Sequence, residues 1–216
     1  MRERERKAGT TMAASETARA TVIAIDLGGT TTRVASVALP QAPGATLALA
    51  DGISAFATES AYDAQLARLS EAVAAVVRVA ERGGSGQPLG IGVSLGGRIA
   101  RDGAGVVVAP NLRDYEGRPF VKDLSRHCDG LSVRLAHDAM CGLLAERRLG
   151  ALVGAARCAY VTLSTGTGCA FHLGTARDVG VTLSIELGHQ LLDHNQRVCL
   201  CGQVGCLETY TGGRQL

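Results

Sequence analysis

With 216 residues, 46% hydrophobic and 19% charged, the chain can bury a core of its own, in one domain or two small lobes. A formal net charge of +2, from 22 basic against 20 acidic residues, gives no general reason to expect nucleic acid or a membrane surface as partner. No run reaches the ~18 uninterrupted apolar residues of a membrane helix, so the expectation is a cytoplasmic protein, in which a cluster of cysteines points to metal or chemistry before disulfides.

Residues 1–20 are polar and alternate in charge, without an apolar stretch that could act as a signal peptide, and read as a disordered leader in which Met12 is an alternative start. Thr21 to Ile25 is β-branched and apolar, Gly28 and Gly29 interrupt it, and Arg33 to Leu39 resumes, which predicts a hairpin. "TLALADGISAF" supplies a third strand. From Ala61 to Arg82, Leu66, Leu69, Val73, Val76, Val77 and Ala80 recur at spacings of three and four, the pattern of an amphipathic helix, and "GGSGQP" stops it. "LGIGVSLGG" reads as a buried strand ending on glycines, followed by a short hairpin through "RIARDGAGVVVAP". A helix over Val121 to Cys128, the strand "LSVRLA" and a helix from Ala139 to Leu149 complete an α/β lobe. "CAYVTLSTGTGCAFHLG" then repeats the strand, glycine turn, strand plan. Four tyrosines, three phenylalanines and no tryptophan leave the core to aliphatic side chains.

Four constellations carry chemistry. Asp26 ends a buried strand before "GGTTTR", so a carboxylate stands beside a tight turn with unobstructed amides and hydroxyls, an arrangement suited to a phosphate and its magnesium ion. The same residues would also serve a plain hairpin turn that needs glycine for positive φ. "STGTG", Ser164 to Gly168, carries the same two readings, and two such turns in one chain favour a nucleotide clamp. Neither is a P-loop, since no Gly-Lys-Ser/Thr follows. Asp138 directly follows the strand "LSVRLA", where open α/β sheets bind ligands; it suits a general base and equally the N-cap of the next helix. His189, Cys199, Cys201 and Cys206 offer three thiolates and one imidazole within a short loop, a normal set for tetrahedral zinc, and Gly202 and Gly205 allow the loop to close. Cys199 and Cys201 are too close for an unstrained mutual disulfide, although either could pair with Cys206, and His194 is an alternative imidazole. Cys128, Cys141, Cys158 and Cys169 read as small core residues. Glu186 and Glu208 flank the loop, either as polyol acceptors or as solvated charges.

Together, "AIDLGGTTTRVA", "GVSLGGRI", "APNL", "HDA", "TLSTGTGCAF", "IELGH" and "CLCGQVGCLETY" resemble the ROK family of bacterial sugar kinases and sugar-responsive repressors, from about Thr21 to Gly213. The resemblance implies an actin-like, ribonuclease H-like ATPase fold of two lobes with a central cleft: a first lobe over 21–138 and part of a second over 139–216. It implies ATP-dependent phosphorylation of a hexose, of glucose or N-acetylhexosamine type, usually at O6. Asp26, Gly28, Gly29 and Thr30 would face ATP and magnesium from one lobe, and Thr165, Gly166, Thr167 and Gly168 from the other. Asp138 matches the catalytic base, while Asn111, Glu186, His189 and Glu208 match sugar-binding positions. His189, Cys199, Cys201 and Cys206 match the family's structural zinc site.

The resemblance also implies small-molecule partners only, sugar and ATP, and admits a homodimer. The alternatives are a sugar-binding transcriptional regulator, disfavoured because ~20 residues before the first strand cannot hold a helix-turn-helix, and a catalytically weak sugar-binding fragment. Three departures stand out: His137 replaces the Asn many members carry before the catalytic Asp, Arg98 follows glycines where a Gly-Pro-Gly turn is usual, and the sequence stops at Leu216, short of the helices that complete the second lobe. A lobe lacking that layer should expose apolar sheet surface.

Overall fold

The structure is a computed structural model, and it describes residues 20–39, 48–175 and 180–214. The leader expected over residues 1–20 lies outside the described residues up to position 19. Strands β1 (Thr21–Leu27), β2 (Thr31–Ala38) and β3 (Ala48–Ala57) form an antiparallel meander. Helix α1 (Tyr62–Arg82) crosses over to β4 (Ile91–Leu95), which runs parallel to β1. A two-stranded ribbon of β5 (Arg98–Ile99) and β6 (Val106–Val108) follows, then α2 (Phe120–His127) and β7 (Val133–His137), parallel to β4. The resulting sheet has the order β3-β2-β1-β4-β7.

Period-two alternation decides which way this sheet faces. In β1, Ile23, Ile25 and Leu27 are buried while Asp26 points to the exposed side; in β4, Ile91, Val93 and Leu95 repeat the pattern. Helix α1 lays Leu66, Leu69, Val73 and Val76 onto the core, as its three-and-four spacing predicts, and α2 adds Phe120 and Leu124. Tyr62, Tyr115 and Phe120 close its end, with the two tyrosine rings edge to face at 5.4 Å. Cutting a fully buried Leu69 or Leu124 back to Ala would cost about 2–5 kcal/mol, the loss of transfer energy plus a cavity.

Helix α3 (Asp138–Leu149) begins without a linker after β7 and leads into a second, antiparallel sheet of β8 (Arg157–Leu163), β9 (Thr167–Gly174) and β10 (Gly180–Ile185), in the order β10-β9-β8. Ala139 and Leu143 of α3 pack on Ala170 from one side. The opposite face leaves Val161, Leu163, Leu173, Val181 and Leu183 between 48% and 64% exposed, the apolar sheet surface expected from the sequence. Strand β10 was not expected. Its apolar Val181, Leu183 and Ile185 are exposed, and its most covered residue is the polar Thr182, which is half-buried, so its pattern is inverted against burial. A short 3-10 turn, Leu187–His189, then an irregular loop and the single-turn α4 (Glu208–Thr211) end the described chain. Among the described residues no helix is long and apolar enough to cross a membrane.

Candidate functional site

A cleft of about 930 Å³ opens between the two sheets, at the C-terminal ends of β1, β4 and β7 and against the β8–β9 turn. Open α/β sheets place ligands at this edge. The first wall is the β1–β2 turn. Gly28 N–H bonds the Thr31 carbonyl at 3.1 Å, and an added Cβ on Gly28 would stand 2.9 Å from the same oxygen, so the turn tolerates no side chain there. A buried polar chain holds it from below: Gln65 of α1 donates to Thr32 Oγ1 (3.0 Å), Thr32 and Thr58 hydroxyls meet at 2.9 Å, and Thr58 Oγ1 donates to the Gly28 carbonyl at 2.7 Å. Satisfied networks of this kind fix a single conformation in a low-dielectric interior. Opposite partners in the hairpin register, Asp26 and Arg33 pair at 3.0 Å, each with about half its side chain in solvent.

The second wall is the β8–β9 turn. Ser164 N–H bonds the Gly166 carbonyl (2.9 Å), and Gly213 N–H returns to the Ser164 carbonyl (2.7 Å). Glu208, first residue of α4, accepts the Thr167 backbone N–H at 2.7 Å, and the Thr167 and Thr211 hydroxyls meet at 2.6 Å. A Cβ on Gly166 would lie 2.7 Å from Glu208 Oε2 and one on Gly188 3.0 Å from it, so both glycines make room for that carboxylate.

At the cleft floor stands Asp138. It is the first helical residue of α3; the N-cap is His137, which corrects the sequence alternative that made Asp138 the cap. Its Oδ1 accepts the Ala139 backbone N–H at 2.6 Å and lies 3.1 Å from His137 Nδ1. Across from it, a Cβ on Gly96 would come within 3.3 Å of Oδ2.

The loop after β10 folds on glycines at positive φ, Gly202 at 93° and Gly205 at 97°, and on Asn195, which is buried and donates to the Cys206 carbonyl and Thr209 Oγ1, both at 3.0 Å. Those turns gather one ligand atom each from His189, Cys199, Cys201 and Cys206 within 4.8 Å of one another. Cys201 and Cys206 sulfurs are 3.7 Å apart and Cys199 Sγ is 3.8 Å from His189 Nδ1. A tetrahedron with bonds of ~2.3 Å has edges of ~3.8 Å, whereas a disulfide needs ~2.05 Å. The set therefore has the size of a metal site, and all seven cysteines are free thiols. Burial, followed by the neighbouring thiols, pushes Cys206 up to about 12, and burial raises Cys199 as well. A dication at the centre would reverse that preference and favour the thiolates. His194 is not part of the set: it sits on the surface beside Asp193.

Asp26, Gly28, Gly29, Thr30, Asn111, Asp138, Thr165, Gly166, Thr167, Gly168, Glu186, His189, Cys201 and Glu208 thus line one cleft, while Cys199 and Cys206 are buried directly behind it. Sequence reasoning missed Arg33, which counting across the hairpin would have placed opposite Asp26. It also missed Arg214, whose guanidinium donates to Asn111 Oδ1 across 103 positions, a contact with no local signal.

The model of the ROK family matches residues 22–216. A kanosamine kinase of Amycolatopsis mediterranei is 31% identical over 193 residues, 88% of this chain and 59% of its own length. A putative xylose repressor of Caldicellulosiruptor sp. is 33% identical over 129 residues, 59% of this chain and 32% of its own length. The solved structure of a ROK family glucokinase from Streptomyces griseus, in complex with glucose and AMPPNP, superposes with a TM-score of 0.70 at 26% identity, covering 90% of this chain and 58% of that one. The chain spans between a third and three fifths of the length of these relatives. The family model reaches from the first strand through the cysteine loop, and the glucokinase superposition takes in nine tenths of the chain: the chain belongs to the ROK family and has the actin-like ATPase fold of its sugar-kinase structures.

Proposed function

We propose that the cleft is a phosphotransfer site in which a hexose hydroxyl, O6 of a glucose or N-acetylhexosamine type sugar, attacks the γ-phosphate of ATP. The observation that carries this reading is the convergence of two glycine turns and the Asp138 carboxylate on one cleft. Residues 21–138 form the lobe of the first turn and 139–216 contribute part of the second. The turns at Gly28–Thr30 and Thr165–Gly168 present backbone amides and hydroxyls to the phosphates. Asp26 would hold magnesium, which would neutralise phosphate charge. The exposed Arg33 partner is worth little in water, so exchanging it for a metal ion is not opposed by a strong bond.

Asn111, Glu186, His189 and Glu208 hold the sugar hydroxyls. Asp138 takes the proton of the attacking hydroxyl, whose oxygen then bonds the γ-phosphorus in line as the ADP oxygen departs. Catalysis here is chiefly positioning and charge stabilisation. His189, Cys199, Cys201 and Cys206 would hold zinc, which with four protein ligands would serve to brace the sugar loop.

A second reading, a sugar-binding regulator or a fragment that binds sugar without turnover, draws support from the similarity to xylose repressors. The deciding experiment couples ADP release to a spectrophotometric signal across a panel of hexoses and N-acetylhexosamines, with calorimetry beside it. Sugar-dependent ADP release that Asp138→Asn abolishes supports the kinase. Sugar binding with no ADP release supports the regulator or fragment.

A further inference from the structure

The two oxygens of the Asp138 carboxylate stand in different surroundings. Oδ1 has the Ala139 backbone N–H at 2.6 Å and His137 Nδ1 at 3.1 Å. His137 Nδ1 is itself 3.3 Å from the same Ala139 N–H. One amide proton cannot serve two acceptors equally, and the shorter contact gives it to Oδ1. If Nδ1 then carried a lone pair, it would face a carboxylate lone pair at 3.1 Å, a repulsive contact between a ring only 12% exposed and a carboxylate side chain 46% exposed. A proton on Nδ1 removes the conflict, because N–H then donates to Oδ1 in a charge-assisted hydrogen bond. Oδ1 is then occupied by two donors. Oδ2 has no donor among the described residues and faces Gly96 at the end of β4, where the absence of a Cβ leaves the space before it open to the cleft.

We propose that His137 is a positioning residue for Asp138: its Nδ1–H holds Oδ1, fixes the rotation of the carboxylate and leaves Oδ2 as the oxygen that receives the sugar proton. This rests on the phosphotransfer reading above. The proton balance is simple: the hydroxyl proton passes to Oδ2, Oδ1 keeps both of its hydrogen bonds throughout, and the Nδ1 proton stays on the ring. The imidazole orients the base and does not itself exchange a proton with the substrate. Its position is set by the fold, since His137 is the last residue of β7, paired in register with Leu95 one residue before Gly96. The residue that holds Oδ1 and the glycine that clears Oδ2 therefore belong to neighbouring strand ends.

Two measurements test the assignment. In a 15N-histidine-labelled sample of the whole chain, the long-range 15N–1H correlation pattern of His137, assigned by its loss in His137→Asn, should show a protonated Nδ1. Removing the carboxylate in Asp138→Ala should release the ring to the Nε2–H form that dominates free histidine. A wild-type ring already in the Nε2–H form overturns the proposal whether or not the chain turns over. In the coupled assay, His137→Ala should lower kcat by about 10- to 100-fold, the usual effect of losing a group that orients a catalytic one, with the sugar KM changed less than about threefold. His137→Asn, whose amide N–H can replace Nδ1–H, should recover most of that loss. Equal kcat for the Ala and Asn variants overturns the proposal. If wild-type chain shows no turnover, the phosphotransfer reading fails and the tautomer alone decides this one.

Discussion

Glu208 Oε2 accepts the backbone N–H of Thr167 at 2.7 Å, so the helix that ends the cysteine loop is tied to the second glycine turn by a charge-assisted bond between residues 41 positions apart. Gly166 and Gly188 both make room for that oxygen. One carboxylate oxygen is thereby committed to the turn, in a residue that also lines the cleft. Loop and turn cannot move independently while this bond holds.

Glu208→Ala should accordingly weaken two ligands at once. A hydrogen bond to a charged group is worth about 1.5–3 kcal/mol, so sugar affinity should fall by roughly 10- to 100-fold. Nucleotide affinity should fall by a smaller factor, through loosening of the turn. Titration calorimetry with each ligand separately checks this, and a change confined to the sugar would show that the Thr167 contact does not order the turn.

Asp138→Asn should separate binding from chemistry. The amide is isosteric and its oxygen can still accept the Ala139 N–H, so the local fold of α3 is preserved. It cannot receive a proton at neutral pH, and loss of a general base costs about 10²- to 10⁴-fold. Sugar affinity within a few-fold of wild type, with turnover reduced to that extent, is the expected result of paired calorimetry and ADP-release measurements. A variant as active as the parent would remove Asp138 from the mechanism.

The cysteine loop yields a prediction about metal. Purified chain should carry one zinc ion per molecule by elemental analysis, and Cys206→Ser should carry none, because Cys206 is the deepest of the three thiols, 0% exposed. Extracting the metal with a strong chelator should lower the melting temperature and weaken sugar binding before it affects nucleotide binding. The reason is geometric: His189 and Cys201 line the cleft, while Cys206 is bonded through its carbonyl to Asn195, which also holds Thr209 beside Glu208. Sugar affinity unchanged in metal-free protein would assign the ion to stability alone.

Much of this site could be read before any coordinates, and the exceptions have physical causes. The β1–β2 hairpin and α1 were legible because a half-buried sheet and an amphipathic helix impose periods of two and 3.6 on their sequences. The grouping of His189 with the three cysteines was legible because these residues cluster along the chain, within the loop from His189 to Cys206. Strand β10 was hidden because the face it leaves bare is its apolar one. His137 signalled only a departure from the family's usual Asn; that its ring bends back to Asp138 Oδ1 follows from a cap geometry that sequence spacing does not encode. The Arg214 bond to Asn111 joins the C-terminal end of the described fold to the loop after β6, and only tertiary structure brings such residues together.

The buried chain Gln65–Thr32–Thr58 leads to a last prediction. Thr58 Oγ1 is the hydrogen bond that reaches the Gly28 carbonyl, and the Thr58 backbone N–H also bonds the Thr30 carbonyl at 3.0 Å. Thr58→Val keeps the shape and the backbone bond while removing the hydroxyl. It leaves Thr32 Oγ1, which is fully buried, with Gln65 as its remaining partner. Losing one bond in a buried network costs about 1–3 kcal/mol, measurable as a lower midpoint in urea. The functional effect should fall mainly on the phosphate side: nucleotide affinity drops because the carbonyl of Gly28 is no longer held down and the turn samples other conformations, whereas sugar affinity, which on the proposed reading rests on Glu186, His189 and Glu208 of the far wall as well as on Asn111 beside Gly29, should change less. Loss of stability without loss of nucleotide affinity would mean that the glycine turn holds its own shape, through the Gly28–Thr31 bond alone, and that the network below it serves only the core.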